Sequence, residues 1–343
     1  MSRQPYLSAV NERVIVFDGA FGTFVQDLDL GPDDFGGASL EGCNEYLCIT
    51  RPDVIRQMHS AFLDVGVDVL ETASFGSFST VLSEYNIADK AYELNVEAAR
   101  LARETANDYE SNGKARYVAG SIGPGTKLPS LGHIRFAELR DAYIEQARGL
   151  IVGGADLFLI ETCMDLLQIK AAMIACRRAM VAEGREIPIQ VQVTMETTGR
   201  MLVGSEIGAA LTAISAMKPD VFGINCATGP AEMQEHLRYL SQNASMPISV
   251  LPNAGLPSIV DGRTHYDLTP AELAKFHHHH VHDLGIGIVG GCCGTTPAHL
   301  KAVVDAVSGM AAPKRTPIIE PSVASIYSSV PMVQDKSFLI IGE

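Results

Sequence analysis

The segment ELRDAYIEQARGLIVGGADLFLIETC, residues 138–163, contains a helix pattern followed directly by a strand pattern. Residues 138–154 have the apolar spacing of a helix and end on two glycines, whereas DLFLIETC at 156–163 is a short apolar run typical of a buried strand. The strand pattern itself ends on ionisable and polar residues. A helix that leads at once into a buried strand indicates an α/β fold with parallel strands.

Eight strand patterns of this kind occur between residues 13 and 293, with helical patterns between them. Eight parallel strands that alternate with helices predict a closed (β/α)8 barrel, the TIM barrel, rather than an open sheet. The predicted strands are RVIVFDG at 13–19, VDVLETA at 67–73, RYVAGSIGP at 116–124, DLFLIETC at 156–163, IQVQVTME at 189–196, VFGINCA at 221–227, ISVLPNAG at 248–255 and GIGIVGGCC at 285–293.

Nearly every predicted strand ends on polar, ionisable or thiol residues. Barrel enzymes build their active sites at the carboxyl ends of the strands, so we expect these side chains to converge on one mouth. The strand ends read Asp18-Gly19, Glu71-Thr72, Ser121-Ile122-Gly123-Pro124, Glu161-Thr162-Cys163, Glu196-Thr197, Asn225-Cys226, Pro252-Asn253-Ala254-Gly255 and Gly290-Gly291-Cys292-Cys293.

The composition excludes several classes of protein. Of the 343 residues, 47% are hydrophobic and 19% are charged, which suits a large core and excludes wholesale disorder. The net charge of −14 argues against a nucleic-acid partner, because phosphate binding requires clustered Lys and Arg. No apolar stretch reaches the ~18 residues of a membrane span, and the N-terminus lacks the order of a signal peptide. Seven cysteines in such a chain predict reduced thiols and a cytoplasmic location.

The composition changes after the last helical pattern, at 297–309. Residues 1–310 are therefore predicted to form the barrel, whereas 311–343 are rich in Pro and Ser and have the character of a linker. The linker ends in SFLIIGE at 337–343, a strand-like run with no partner after it. We expect the chain to be the first module of a longer protein, followed by a further domain.

Three of the cysteines are predicted to meet at the barrel rim. Cys226 ends the sixth strand, and Cys292 and Cys293 are adjacent at the end of the eighth, where flanking glycines let both sulfurs face one small partner. Three thiolates suit Zn²⁺, and a fourth position left open to substrate is typical of a catalytic zinc site. Such an ion holds a thiol substrate as its thiolate, which predicts alkyl transfer to sulfur. The alternative is that the three are small buried core residues.

The other four cysteines have weaker patterns. Cys176 falls in a helical pattern and is interpreted as core, and Cys163 as core or as a neighbour of the ligands. Cys43 and Cys48 have a separation that matches no standard zinc spacing, so a redox pair stays open but weakly supported.

The run FHHHHVHD at 276–283 precedes the eighth strand within a helical pattern. Consecutive residues of a helix point in different directions, so His277–His280 cannot jointly chelate one ion. We interpret the run as a solvated or outer-layer part of that helix.

Seven motifs in order along the chain resemble those of the homocysteine S-methyltransferase family. The resemblance covers about residues 10–310 and implies a TIM barrel in which Cys226, Cys292 and Cys293 bind Zn²⁺ and homocysteine is methylated on sulfur. The motifs are DGAFGT at 18–23, ETASFGS at 71–77, GPGT at 123–126, ETCMD at 161–165, GINCATGP at 223–230, PNAGLP at 252–257 and GGCCGTTP at 290–297.

Within this family, three segments are most similar to the N-terminal, homocysteine-binding module of cobalamin-dependent methionine synthases. This resemblance implies that methylcobalamin, bound by another domain of the same chain, donates the methyl group, and that a folate-binding domain follows residue 343. The segments are EGCNEYLCITRPDVI, PGTKLPSLGHI and SVPMVQDKSFLIIGE.

The resemblance also implies roles for residues beside the thiols. Asp18 and Glu161 would meet the ammonium group of homocysteine, and the amide oxygen of Asn253 would take the fourth zinc position when substrate is absent. Glu71 and Glu196 are interpreted as supporting hydrogen-bonding residues. The carboxylate of homocysteine would be held by the backbone N–H groups of the glycine-containing turn Gly19, Ala20, Phe21, Gly22 and Thr23.

Simpler interpretations of two of these residues stay open. Asp18 could merely cap its own turn, and Asn253 could be a turn residue after Pro252.

Three other functions stay open. The first is a self-sufficient methyltransferase that uses betaine, S-methylmethionine or S-adenosylmethionine, against which the strand-like tail argues. The second is a non-catalytic zinc-binding barrel, which would have no need of strand-end carboxylates. The third is a phosphate-binding aldolase-type barrel, in which two thiols at the eighth strand would not help to bind an anion.

Overall fold

The computed structural model describes residues 3–110, 114–260, 263–333 and 335. Its central sheet contains the eight predicted strands, each shorter than its sequence pattern because the glycine-containing and polar ends belong to loops. In chain order, β1 to β8 are Ile15–Val16, Val69–Glu71, Tyr117–Ile122, Leu157–Cys163, Ile189–Val193, Val221–Asn225, Ile248–Leu251 and Ile288–Val289.

The eight strands close into a barrel. All neighbouring strands are parallel, and their order is β1-β8-β7-β6-β5-β4-β3-β2. A parallel bridge between Phe17, just after β1, and Val69 in β2 joins the two ends of this order. The predicted (β/α)8 barrel is therefore confirmed.

One helix follows each strand and covers the outside of the barrel. The helix predicted at 138–154 ends where its glycines indicated, because Gly154 adopts a φ of +106° beyond the last turn. In chain order, α1 to α8 are Pro52–Asp64, Ala91–Asp108, Phe136–Gly153, Leu166–Glu183, Ile207–Ser215, Gln234–Asn243, Pro270–His282 and Pro297–Val307. Shorter helices lie at Tyr6–Glu12, Phe21–Gln26, Leu47–Thr50 and Ser79–Leu82, with 3-10 turns at Asn44–Tyr46, Ser83–Tyr85, Ala88–Lys90 and Pro129–Leu131.

The two ends of the barrel differ in how they are closed. At the amino ends of the strands, the helix Tyr6–Glu12 brings the buried hydroxyl of Tyr6 into the barrel, where it donates to Oε1 of Gln190 at 2.8 Å. At the carboxyl ends, the long segment between β1 and α1 and the hairpin Pro257–Val260 with Arg263–Tyr266 surround the mouth. The open end of the barrel is therefore the one at which the strand-end polar residues lie.

The histidine run lies in the outer helix layer, but only part of it is solvated. His277 and His280 are fully buried, because residues three apart share one face of α7 and this face packs on the barrel. Nε2 of His277 lies 2.7 Å from the carbonyl oxygen of Gly290, and Nδ1 of His277 lies 3.4 Å from Nδ1 of His280. Gln234 donates to Nε2 of His280 at 2.9 Å. Each of these contacts has one donor if His280 is protonated at Nδ1 and His277 at Nε2.

A second buried histidine, His59 in α1, makes the stability of the fold dependent on pH. Burial, together with the charge of Arg56, lowers its pKa to about 3, and neither ring nitrogen has a hydrogen-bond partner within the described residues. In the unfolded chain His59 becomes protonated as the pH falls below about 6.5, whereas in the folded chain it stays neutral until about pH 3. The free energy of unfolding therefore decreases as the pH falls from about 6.5 toward 3.

We expect His59→Leu to remove this part of the pH dependence. Between about pH 7 and about pH 5, the variant should lose about 2 kcal/mol less free energy of unfolding than the unmodified chain. Denaturant unfolding at the two pH values measures the difference. His278→Leu, which changes an exposed side chain of α7, is the control and should leave the dependence as it was. Equal pH dependence in the His59 variant and the unmodified chain would contradict the prediction.

The segment after the barrel contains a hairpin that packs beside α5. Ser322–Ala324 and Ser329–Pro331 form an antiparallel hairpin beside α5, and the carbonyl oxygen of Tyr327 accepts from the N–H of Glu206 at 2.8 Å. The division into a barrel at 1–310 and a linker at 311–343 stays a prediction, and SFLIIGE lies outside the described residues. In the described part of the chain, no helix combines the length and apolar character needed to cross a bilayer.

Candidate metal and substrate site

The three predicted zinc ligands lie together at the mouth of the barrel. Cys226 follows β6 and the Cys292–Cys293 pair follows β8, so the cysteines flank the end of β7. All three sulfur atoms lie within 4.8 Å of one another, and those of Cys226 and Cys293 are 3.8 Å apart. The spacing places three sulfur donors around one point, as a small ion requires.

The backbone at both strand ends adopts conformations that favour this meeting. Gly294 has a φ of +77°, which agrees with the predicted glycine turn after the cysteine pair. On the other side, Cys226 and Ala227 have φ values of +61° and +57°, although neither is glycine. Left-handed conformations cost non-glycine residues about 1–2 kcal/mol each, and such strain concentrates at functional sites.

We expect Gly294→Ala to weaken metal binding by about tenfold or more, as changes next to ligands commonly do. A Cβ atom at this position would lie 2.3 Å from the ring of Tyr266, so the turn or the rim hairpin must move. Gly309→Ala is a matched control, because Gly309 has a φ of +74° but no atom within 4 Å of the added Cβ. Zinc affinity measured by competition with a chelator should fall for the first variant only, and equal affinities would contradict the prediction.

The donor set fits zinc. Three thiol sulfurs form a soft site that leaves one position of a tetrahedral ion free. Asn253 lies beside them, because backbone hydrogen bonds tie both of its chain neighbours to the cysteine pair. The N–H of Cys292 donates to the oxygen of Pro252 at 2.8 Å, and the N–H of Ala254 donates to the oxygen of Cys293 at 2.9 Å. Its Oδ1 atom is buried and has no hydrogen-bond partner among the described residues, which leaves an oxygen for a fourth ligand.

A cavity of about 240 Å³ extends from the thiols into the barrel mouth. The turn from Asp18 to Thr23, Glu161 and all three cysteines line it together, whereas Asn253 is not among the lining residues. The remaining lining residues are Asn44, Glu45, Met58, Glu71, Thr72, Phe75, Ser121, Thr162 and Gly291. The sequence-predicted substrate residues and thiols therefore share one cavity.

Asp18, Glu71 and Glu161 make this cavity unusually acidic. Burial raises the pKa of Glu161 to about 7, and burial together with the charge of Glu161 raises the pKa values of Asp18 and Glu71 well above their usual range. None of the cavity-lining residues in the described part of the chain is Lys or Arg. With Glu45, four carboxyl groups line the cavity, and with no Lys or Arg beside them they suit a ligand that carries a positive charge.

Glu161 and Asp18 accept hydrogen bonds from residues of other strands. Glu161 accepts from the hydroxyl of Ser121 at 2.5 Å and from Nδ2 of Asn225 at 3.1 Å. Oδ2 of Asp18 accepts from the N–H of Glu71 at 3.0 Å, while its Oδ1 is buried and unpaired among the described residues. The unpaired oxygen of Asp18 is therefore available to a ligand.

The turn Gly19–Thr23 is joined to the cysteine loop. The N–H of Ala20 donates to the carbonyl oxygen of Thr295 at 3.4 Å, and Oγ1 of Thr23 accepts from the N–H of Gly294 at 3.0 Å. The next N–H groups, of Phe21 to Thr23, begin the short helix Phe21–Gln26, where a helix offers no acceptor of its own. The turn thus brings backbone donors to the cavity that contains the thiols.

Of the remaining glutamates and cysteines singled out in the sequence, one lines the cavity and the rest lie outside it. Glu71 lines the cavity, whereas Glu196 does not, and its N–H donates to the carbonyl oxygen of Arg200. Cys43, Cys48, Cys163 and Cys176 are buried free thiols, and the first two belong to different hydrophobic clusters. The core interpretation of Cys163 and Cys176 therefore agrees with the structure.

Sequence analysis missed the contacts of Asn225 and Tyr266. Asn225 directly precedes Cys226 in GINCATGP, a motif in which only the cysteine has a predicted role. Tyr266 belongs to the rim hairpin, and its hydroxyl, with the Cys226 and Cys292 thiols, lowers the pKa of Cys293 by hydrogen bonding to its sulfur. The position of Asn225 at a strand end was a usable signal, whereas no local pattern marks Tyr266.

The chain is similar to known proteins over almost its whole length. The chain is 51% identical over 337 residues to a methionine synthase of Mycobacterium tuberculosis and 49% identical over 342 residues to that of Mycobacterium leprae. Each match covers 98% of this chain but only 28% of the relative, so the chain spans little more than a quarter of these proteins.

Solved structures show the same fold. The metallated form of the homocysteine methyltransferase MmuM from Escherichia coli aligns with a TM-score of 0.70 and 21% identity, over 88% of this chain and 99% of MmuM. The family model described as homocysteine S-methyltransferase matches residues 15–307, which is most of the chain. The chain therefore belongs to the homocysteine S-methyltransferase family.

Proposed function

We propose that this chain is the homocysteine-binding zinc module of a cobalamin-dependent methionine synthase, in which homocysteine takes a methyl group from methylcobalamin to give methionine. The observation that carries the proposal is the shared cavity, which is lined both by the cluster of three thiols and by carboxyl groups that include those of Asp18 and Glu161. Homocysteine carries a thiol and an ammonium group, so each of its two groups finds a matching set of side chains in this cavity.

Different residues of the cavity bind the thiol, the ammonium group and the carboxylate of the substrate. Zn²⁺ held by Cys226, Cys292 and Cys293 would keep the thiol of homocysteine deprotonated and nucleophilic at neutral pH. Glu161 and Asp18 bind the ammonium group, whose charge compensates the buried carboxylates. The N–H groups of the turn Gly19–Thr23 hold the carboxylate, and the oxygen of Asn253 takes the fourth position beside the thiols before substrate arrives.

The methyl donor must be presented from outside the barrel. A cavity of about 240 Å³ holds an amino acid but not a corrin ring. Exposed apolar side chains surround the mouth, among them Phe75, Leu202, Leu256 and Ile259. We infer that this rim contacts a cobalamin-binding domain of the same full-length chain, and that a folate-binding domain follows the linker at 311–343.

A cytoplasmic location suits the cysteines. All seven are free in the structure, and four of them are buried thiols outside the cluster. Unpaired thiols of this number are typical of a reducing compartment.

Methionine formation tests the proposal. Zinc-loaded protein should form methionine from homocysteine and free methylcobalamin, and Cys292→Ala protein should not. Parallel reactions with betaine, S-methylmethionine and S-adenosylmethionine test the self-sufficient enzyme. Turnover with one of these donors and none with methylcobalamin would overturn the proposal, and zinc binding without any homocysteine binding would favour a non-catalytic zinc barrel.

A further inference from the structure

Asn225 touches both halves of the proposed site. It is the last residue of β6, it is fully buried, and it directly precedes Cys226. Its Nδ2 atom donates to Oε2 of Glu161 at 3.1 Å and lies 4.0 Å from the sulfur of Cys292. One amide group therefore contacts the carboxyl group assigned to the ammonium and a thiol assigned to the metal.

The same amide holds the backbone that presents Glu161. Oδ1 of Asn225 accepts from the N–H of Thr162 at 2.8 Å, and Nδ2 also donates to Oγ1 of Thr162 at 2.9 Å. Thr162 has a φ of +56°, a strained conformation for a β-branched residue that its surroundings must maintain. Asn225 thus fixes the end of β4 against the end of β6.

Only an amide satisfies these contacts. The side chain must accept from a backbone N–H with one terminal atom and donate to a carboxylate with the other, which also fixes its orientation. Aspartate has the same shape but no donor, and it would set a second carboxylate against Glu161. Alanine would remove both contacts.

We propose that Asn225 is a positioning residue that sets the distance between the ammonium-binding carboxylate of Glu161 and the thiol-binding metal. The proposal rests on the function proposed above and deepens it, because it makes Asn225 a determinant of selectivity for thiols that carry an α-amino group. Homocysteine must reach the metal and Glu161 at once, whereas 4-mercaptobutanoate, which lacks the amino group, needs only the metal and the carboxylate site.

Calorimetric titration of the zinc-loaded protein with these two thiols tests the proposal. Asn225→Ala should weaken homocysteine binding about 10- to 100-fold, since a hydrogen bond to a buried charged group is lost, and should weaken 4-mercaptobutanoate binding less than about threefold. In a Glu161→Gln background, the same substitution should no longer distinguish the two thiols. Zinc content is measured in every sample.

Two controls separate positioning from a general loss of structure. Asn95 is also fully buried, and its Nδ2 donates to the carbonyl oxygens of Ser77 and Ala91 away from the cavity, so Asn95→Ala should not change the ratio of the two affinities. If Asn225→Ala protein does not fold, Asn225→Asp carries the test, because it keeps the shape and the acceptor for Thr162 while it loses the donor to Glu161.

The outcomes are distinct. The positioning role would be overturned if the Asn225 variants bound both thiol ligands more weakly by the same factor, lost zinc, or showed unchanged affinities. None of these outcomes would contradict the proposed function. Failure of the unmodified zinc-loaded protein to bind homocysteine would overturn the proposed function itself.

Discussion

Cys292→Ser protein is expected to lose its zinc on dialysis and with it methionine formation. The substitution removes one of three sulfur donors that lie within 4.8 Å of one another, and a hydroxyl does not replace a thiolate as a soft ligand. Residues that only support metal ligands already change affinity by about 10- to 100-fold, so loss of a ligand should cost at least about 100-fold. Metal content after dialysis and the rate of methionine formation measure the effect.

Cys176→Ser is the matched control for this variant. Cys176 is a fully buried cysteine of α4 and lies outside the thiol cluster, so its substitution should lower stability but leave zinc content unchanged. Retention of one zinc per chain by the Cys292 variant would remove this residue from the ligand set.

Glu161→Gln protein is expected to keep zinc and to lose affinity for homocysteine by about 100-fold. The change removes the charge that is proposed to face the ammonium group, and in a buried cavity an unpaired charge is costly. Because the thiol cluster is untouched, 4-mercaptobutanoate should bind nearly as before. Calorimetric titration with the two thiols measures the difference.

Glu196→Gln provides the comparison, since Glu196 also follows a strand but does not line the cavity. It should bind homocysteine as the unmodified protein does. Similar losses in the two glutamine variants would mean that strand-end carboxylates act through general stability rather than through the ligand.

The sequence was sufficient for the architecture and for the thiols. Eight apolar runs with polar ends specify eight parallel strands, and parallel strands in a barrel bring their carboxyl ends to one face. For this reason Cys226 and Cys292, 66 positions apart in number, were correctly expected to be neighbours. The local strand patterns and the topology of a barrel were together enough to predict that these cysteines meet.

Other features depend on tertiary contacts that no local pattern records. The left-handed backbone of Cys226 was not foreseen, because only glycine marks such conformations in a sequence. The burial of His277 and His280 follows from which face of α7 packs on the barrel, and a run of identical residues does not show this. Tyr266 reaches Cys293 only because the rim hairpin folds over the eighth strand.

The two shortest strands, β1 and β8, lie next to each other, and the cysteine pair follows one of them. Each pairs with its neighbour through two residues only, Ile15 with Ile288 and Val16 with Val289. Few ladder hydrogen bonds therefore lie at this seam, and its amide protons should exchange with solvent by local opening before those of β3 to β5. An ion shared by the ends of β6 and β8 would link across β7, so metal binding should slow hydrogen exchange at the seam more than elsewhere. The metal would then help to keep the barrel closed in addition to the substrate-binding role proposed for it.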